Sequence, residues 1–117
     1  RRYGIRADIF YDRTAQTLTA LLELPGVQRA DVRLRLLRCP HTRVRVLLVE
    51  GTARAPAAPA AGHAARERRY GEFMRVILVP PETQTQDVQA RMEDGVLTVC
   101  VPGVQDAESE PPQDVPL

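Results

Sequence analysis

The stretch Ala90-Arg91-Met92-Glu93-Asp94-Gly95-Val96-Leu97-Thr98-Val99-Cys100-Val101-Pro102 constrains the fold more than any other part of the chain. Asp-Gly between two alternating runs is a strong hairpin signal, because the two-residue turn that matches strand twist needs left-handed backbone at both positions. Alternation puts Leu97, Val99 and Val101 on one face of the second strand. An isolated hairpin of this kind is barely stable in water, so the apolar face must be covered by another layer.

The same period of two recurs upstream. Residues 7–12 alternate, and residues 17–24 align Leu18, Ala20, Leu22 and Leu24. Residues 32–38 set Val32, Leu34 and Leu36 against Arg33 and Arg35, and residues 43–50 align Val44, Val46 and Leu48. A strand follows over 73–79, and Val88, Ala90 and Met92 complete the pattern. Leu24-Pro25-Gly26, Cys39-Pro40-His41-Thr42 and Pro80-Pro81 punctuate it, since proline removes a ladder donor and glycine admits the turn. About seven short strands with no amphipathic helix predict an all-β, immunoglobulin-like two-sheet β-sandwich.

Only 4% of the residues are aromatic and none is Trp, so the core must be built from Val, Leu and Ile, residues that favour strands. No apolar run approaches the roughly 20 residues of a membrane span, and no membrane partner is expected. All 16 basic residues are Arg, and the net charge of +1 gives no general pull toward nucleic acid. The charge is unevenly spread. Asp106, Glu108, Glu110 and Asp114 give the last fifteen residues −4, leaving the first 102 at +5 (16 basic against 11 acidic). Cys39 and Cys100 make no disulfide framework, although a single bridge between them stays open, and a cytoplasmic home is the default. Residues 1–6 read as the remnant of a longer arm, 7–102 as the domain with an Ala-Pro-rich loop over 52–71, and 103–117 as a flexible acidic extension.

Catalytic chemistry finds no support. His41 stands two residues from Cys39 without a base and oxyanion set around it. Cys39, His41, His63 and Cys100 lack the spacing of metal ligands, and no glycine-rich phosphate loop is present. The expectation is no enzyme, no catalytic residue, no metal and no cofactor.

Several stretches together resemble one family. Ala90-x-x-x-Asp94-Gly95-Val96-Leu97 is joined by Ala7-Asp8-Ile9, by Glu23-Leu24-Pro25-Gly26-Val27 with Asp31-Val32, and by Glu67-Arg68-x-x-Gly71-x-Phe73-x-Arg75 with Val79-Pro80. In this order they are similar to the alpha-crystallin domain of small heat-shock proteins, in the plant, fungal and bacterial branch. The resemblance covers about residues 5–103. It implies an ATP-independent holdase chaperone whose partners are further copies of itself, as homodimer and larger oligomer, and unfolded client proteins. A CS-type co-chaperone domain, which shares the sandwich and binds an ATP-driven chaperone, is the alternative; an extracellular adhesion module fits less well.

The resemblance also implies sites. Val32, Leu34, Leu36, Val88, Ala90 and Met92 would line an exposed groove for clients or tails; alternation by itself favours plain core positions, and the resemblance reverses that for Leu34, Leu36, Val88 and Ala90. Val115-Pro116-Leu117 has the aliphatic-x-aliphatic form of a tail anchor; an extended backbone points Val115 and Leu117 to one face. The loop would carry a strand at His63, Ala65, Arg66 and Glu67 that crosses to the partner's first strand at Ile9 and Tyr11, a strand-exchange dimer, unless it is simply an intrachain loop. Arg75, set in an apolar strand, would join the dimer interface; ordinary edge exposure is the other reading. After Arg75 the run Val76-Ile77-Leu78 is more apolar than the family usually has there.

Overall fold

The computed structural model describes residues 2–57, 59–103 and 113–117. The expected flexibility of the extension falls largely on residues 104–112, outside the described residues.

Among the described residues eight strands form two four-stranded sheets: β1 (Arg2–Gly4), β2 (Ala7–Asp12), β3 (Thr17–Glu23), β4 (Val32–Arg38), β5 (Arg45–Ala53), β6 (Gly71–Leu78), β7 (Gln89–Glu93) and β8 (Val96–Pro102). One sheet has the order β1-β6-β5-β4 and the other β2-β3-β8-β7. Every pairing is antiparallel except that of β1 with β6. Short 3-10 turns at Arg29–Asp31 and Thr85–Asp87 precede β4 and β7.

The hairpin that dominates the sequence forms in the expected register, Met92 opposite Leu97 and Glu93 opposite Val96. Asp94 and Gly95 take φ of 54° and 76°, as the two-residue turn requires. The strand expected over 43–50 instead spans Arg45–Ala53. Arg43 adopts a left-handed φ of 63° and its amide bonds the Cys39 carbonyl at 2.8 Å, so the turn extends through 43 and delays the strand. Residues 2–4, assigned no strand from sequence, add β1 beside β6 through Glu72, Phe73 and Met74.

The sheets enclose an aliphatic core around one ring. Phe73 is buried, with Tyr3 tilted against it at 6.0 Å, and Leu22, Leu47, Val49 and Val99 close around them. Fully burying each such side chain contributes roughly 1.5–3 kcal/mol. The chain changes sheet at buried Ile5, between β1 and β2, and again in the connections from β3 to β4 and from β6 to β7. Consequently β4 and β7 are edge strands of different sheets, while β2 forms the opposite edge of the second sheet.

Candidate interaction surfaces

The edges β4 and β7 meet along one rim of the sandwich, where a cleft of about 280 Å³ opens. Val32 and Leu34 line it from β4, Ala90 and Met92 from β7, and Leu97 from β8. None of the four edge residues is sealed: Val32, Leu34 and Met92 are half-buried and Ala90 is exposed. Their spacing follows from the pleat, which turns residues two apart to the same face. The sequence names four of these five apolar residues. Leu36 and Val88 are half-buried against the core without lining this cleft. Leu97 was placed by alternation in the core, and it does double service as the cleft floor. Arg29 and Arg91 also line the cleft, and no sequence signal singled them out.

Both edge strands leave one side unpaired, because β4 pairs only with β5 and β7 only with β8 among the described residues. Apolar side chains beside an open backbone edge are the elements needed to accept an added strand. The segment of matching form, Val115-Pro116-Leu117, belongs to no strand or helix, and Val115 and Leu117 stand in solvent.

The opposite edge of the second sheet is apolar in a different way. On β2, Ile9, Phe10 and Tyr11 are 40%, 50% and 47% exposed. Ile9 and Tyr11 share a face with Ala20 and Leu18, their register partners on β3, yet stay far more exposed than those buried partners. Phe10, on the outer face, was not singled out from sequence. His63, Ala65, Arg66 and Glu67 are exposed and form no strand in the single chain, so they and β2 are not brought together within it.

Arg75 lies between these elements. Its Nη1 donates to the Ile5 carbonyl at 3.1 Å, and the side chain borders a cavity of about 560 Å³ with Arg6, Ala7, Asp8, Leu21 and Glu23. A guanidinium in a partly buried strand needs such partners, since unpaired burial costs several kcal/mol. The hydrogen bond ties β6 to the connection through which the chain passes from β1 in one sheet to β2 in the other.

Cys39 and Cys100 are both free. The Thr42 hydroxyl, with the backbone amides of Thr42 and His41, holds the Cys39 thiol below its ordinary range by stabilising the thiolate. Cys100 Sγ lies 3.8 Å from Thr19 Oγ1 across β3 and β8. Among the described residues no helix is long and apolar enough to cross a membrane.

A family model described as the Hsp20/alpha crystallin family matches residues 12–117. The chain is similar to the 21.9 kDa heat shock protein of Oryza sativa subsp. japonica, 32% identical over 115 residues that cover 92% of this chain and 54% of that protein. It spans about half the length of the curated relatives it matches. Among solved structures, heat shock protein 16.0 from Schizosaccharomyces pombe superposes with a TM-score of 0.72 at 23% identity, covering 98% of each chain. A small heat-shock protein from Xylella fastidiosa gives 0.69 at 22% identity, covering 98% of this chain and 96% of that one, and is described as having a distinct high order structure. At these identities the structural likeness establishes the fold.

Proposed function

Because the chain belongs to the Hsp20/alpha crystallin family, we propose that it is an ATP-independent holdase, binding non-native polypeptides at apolar rims and preventing their aggregation. The family match also displaces the CS-type alternative, which rested on the sandwich alone. The observation that carries the reading is the open cleft bounded by Val32, Leu34, Ala90 and Met92 beside two unpaired strand edges.

A non-native client exposes aliphatic side chains in extended backbone, and the cleft offers apolar area with strand edges to receive both. A Val and a Leu buried together contribute on the order of 3–6 kcal/mol before ordering costs. Those costs remove much of it, so a single contact is weak and reversible. Assembly multiplies weak contacts. On this reading the chain works as a homodimer and larger oligomer in the cytoplasm, where free thiols stay reduced. Residues 63–67 cross to Ile9 and Tyr11 of a partner, and Val115 and Leu117 occupy clefts until clients displace them. No bond is made or broken, so no catalytic group is required.

The test is aggregation suppression of a heat-labile client by the full chain and by Leu34→Asp with Ala90→Asp. Loss of suppression in a variant that retains its strand spectrum supports the cleft. Undiminished suppression refutes it.

A further inference from the structure

The cleft has a charged mouth that the holdase reading does not use. Arg29, at the start of the 3-10 turn before β4, and Arg91, on β7, line it from opposite sides. Both are exposed, and neither has an ion-pair partner among the described residues. The acid closest in sequence to Arg29, Asp31, is taken by Arg54: Arg54 Nε donates to both carboxylate oxygens at 3.0 and 3.1 Å. The mouth therefore presents two guanidinium groups with no carboxylate lining it.

The matching charge sits on the chain's last segment. Asp114 immediately precedes Val115, and the final fifteen residues carry four acids and no base. Asp114, Val115 and Leu117 are all exposed in the single chain, so the segment is free for another molecule. We infer that Arg29 and Arg91 make the cleft, whose occupant under the holdase reading is the tail segment Asp114-Val115-Pro116-Leu117 of a second copy, selective for aliphatic segments with an acidic flank. This deepens the holdase reading and rests on it.

The division of labour follows from two length scales. Val115 and Leu117 repeat at the same two-residue interval as Val32 and Leu34, or Ala90 and Met92, so apolar contacts set the register. Charge acts over the Debye length of about 10 Å at 0.1 M salt, so the arginines attract the acidic segment before contact and reject a cationic one. Arg also suits a carboxylate geometrically, since its planar fork can donate two parallel bonds. Clients compete best when their exposed aliphatics lie beside Asp or Glu. Clients whose aliphatics are flanked by Lys or Arg are held poorly.

The experiment uses the full chain carrying Val115→Ser and Leu117→Ser, so that its own tail loses its aliphatic anchors without gaining charge, and a labelled peptide of residues 103–117 followed by fluorescence anisotropy. Adding Arg29→Gln and Arg91→Gln is expected to weaken the peptide about five- to tenfold at low salt, the size of two exposed ion pairs. Salt should weaken binding to the arginine-bearing cleft and leave the Gln variant nearly unaffected. A peptide with Asp114→Asn should lose affinity on the arginine cleft and little further on the Gln cleft, the coupling expected of interacting groups. Affinity unchanged within twofold on removing both arginines overturns the inference. A peptide carrying Val115→Ser and Leu117→Ser separates the two readings. If it binds as well as the natural one, the cleft reading itself fails; if it does not bind while the arginine variants bind normally, only the charge selectivity falls. Both arginines are exposed, so their replacement should leave the thermal midpoint in place.

Discussion

Gly51→Ala is the substitution that most directly couples the fold to the cleft. Gly51 lies on β5 between Val32 of β4 and Phe73 of β6. A methyl group there would meet the Asp31 carbonyl and, at 2.7 Å, Cζ of the Phe73 ring. Neither neighbour can yield cheaply. Phe73 is packed at the centre of the core, and the Asp31 turn is held by its amide bond to the Gln28 carbonyl at 2.9 Å and by Arg54. Overpacking of this kind costs about 1–3 kcal/mol, occasionally more. Alanine recovers roughly 0.5–1 kcal/mol of glycine's backbone entropy. The net expectation is about 1–2 kcal/mol, or roughly 4–10 °C in Tm for a domain of this size. The direction of relief matters more than the loss. The Asp31 turn is the more superficial of the two obstacles, and moving it outward carries Arg29 and Val32 away from the cleft. Thermal unfolding by circular dichroism at fixed protein concentration, with peptide binding measured alongside, checks both effects. Thr52→Ala, at the exposed neighbouring position, serves as control. A Gly51→Ala protein with an unchanged Tm and undiminished peptide affinity would show that the 29–31 turn is not seated on this glycine.

Three further expectations follow from the other surfaces. Deleting residues 55–69 leaves the β5–β6 pairing intact and should convert dimers to monomers by sedimentation equilibrium; a persistent dimer contradicts strand exchange through the loop. Arg75→Ala removes the bond to the Ile5 carbonyl and should lower stability by about 1–2 kcal/mol in urea unfolding while also weakening the dimer, whereas stability loss alone argues against an interface role. The Cys39 thiolate is favoured by Thr42, so its alkylation by iodoacetamide should become appreciable at lower pH than that of an ordinary thiol. Thr42→Val should move the rate profile back to higher pH, and identical profiles in both proteins would remove the assigned cause.

Much of the sandwich was legible because alternation is a local record of which face is buried. The Asp94-Gly95 turn, the 32–38 strand and the 7–12 strand all appear where period and turn chemistry put them. What period cannot give is the layer against which a face packs. Leu34 and Leu36 follow the same alternation, yet one lines the rim cleft and the other does not, a difference set by the packing of one sheet on the other. β1 escaped for another reason: three residues pairing in parallel with a distant strand carry no hairpin signal. Arg29 and Arg91 were invisible as a pair because they sit 62 positions apart on a turn and a strand that only the sheet order brings together. The apolar run at Val76-Ile77-Leu78 was legible, and its exposure was not: alternation turns Ile77 into the core and leaves Leu78 66% exposed.

The sheet order also decides what kinds of assembly the proposed contacts can build. In the sheet β2-β3-β8-β7, the edge that would pair with a partner's loop is β2 and the edge that bounds the cleft is β7, with two strands between them. Strand exchange at β2 therefore leaves the cleft uncovered, and a dimer so formed carries two open clefts and two unpaired tails. The proposed tail contacts would then join dimers to other dimers at a surface distinct from the one that made them, which is the condition for growth beyond a pair. On the proposed reading each such contact would be weak enough to be displaced, and each displacement would expose Val32, Leu34, Ala90 and Met92 to a client. An assembly of this design needs no separate switch to become active, since raising the concentration of competing aliphatic segments is itself what empties the clefts of tails.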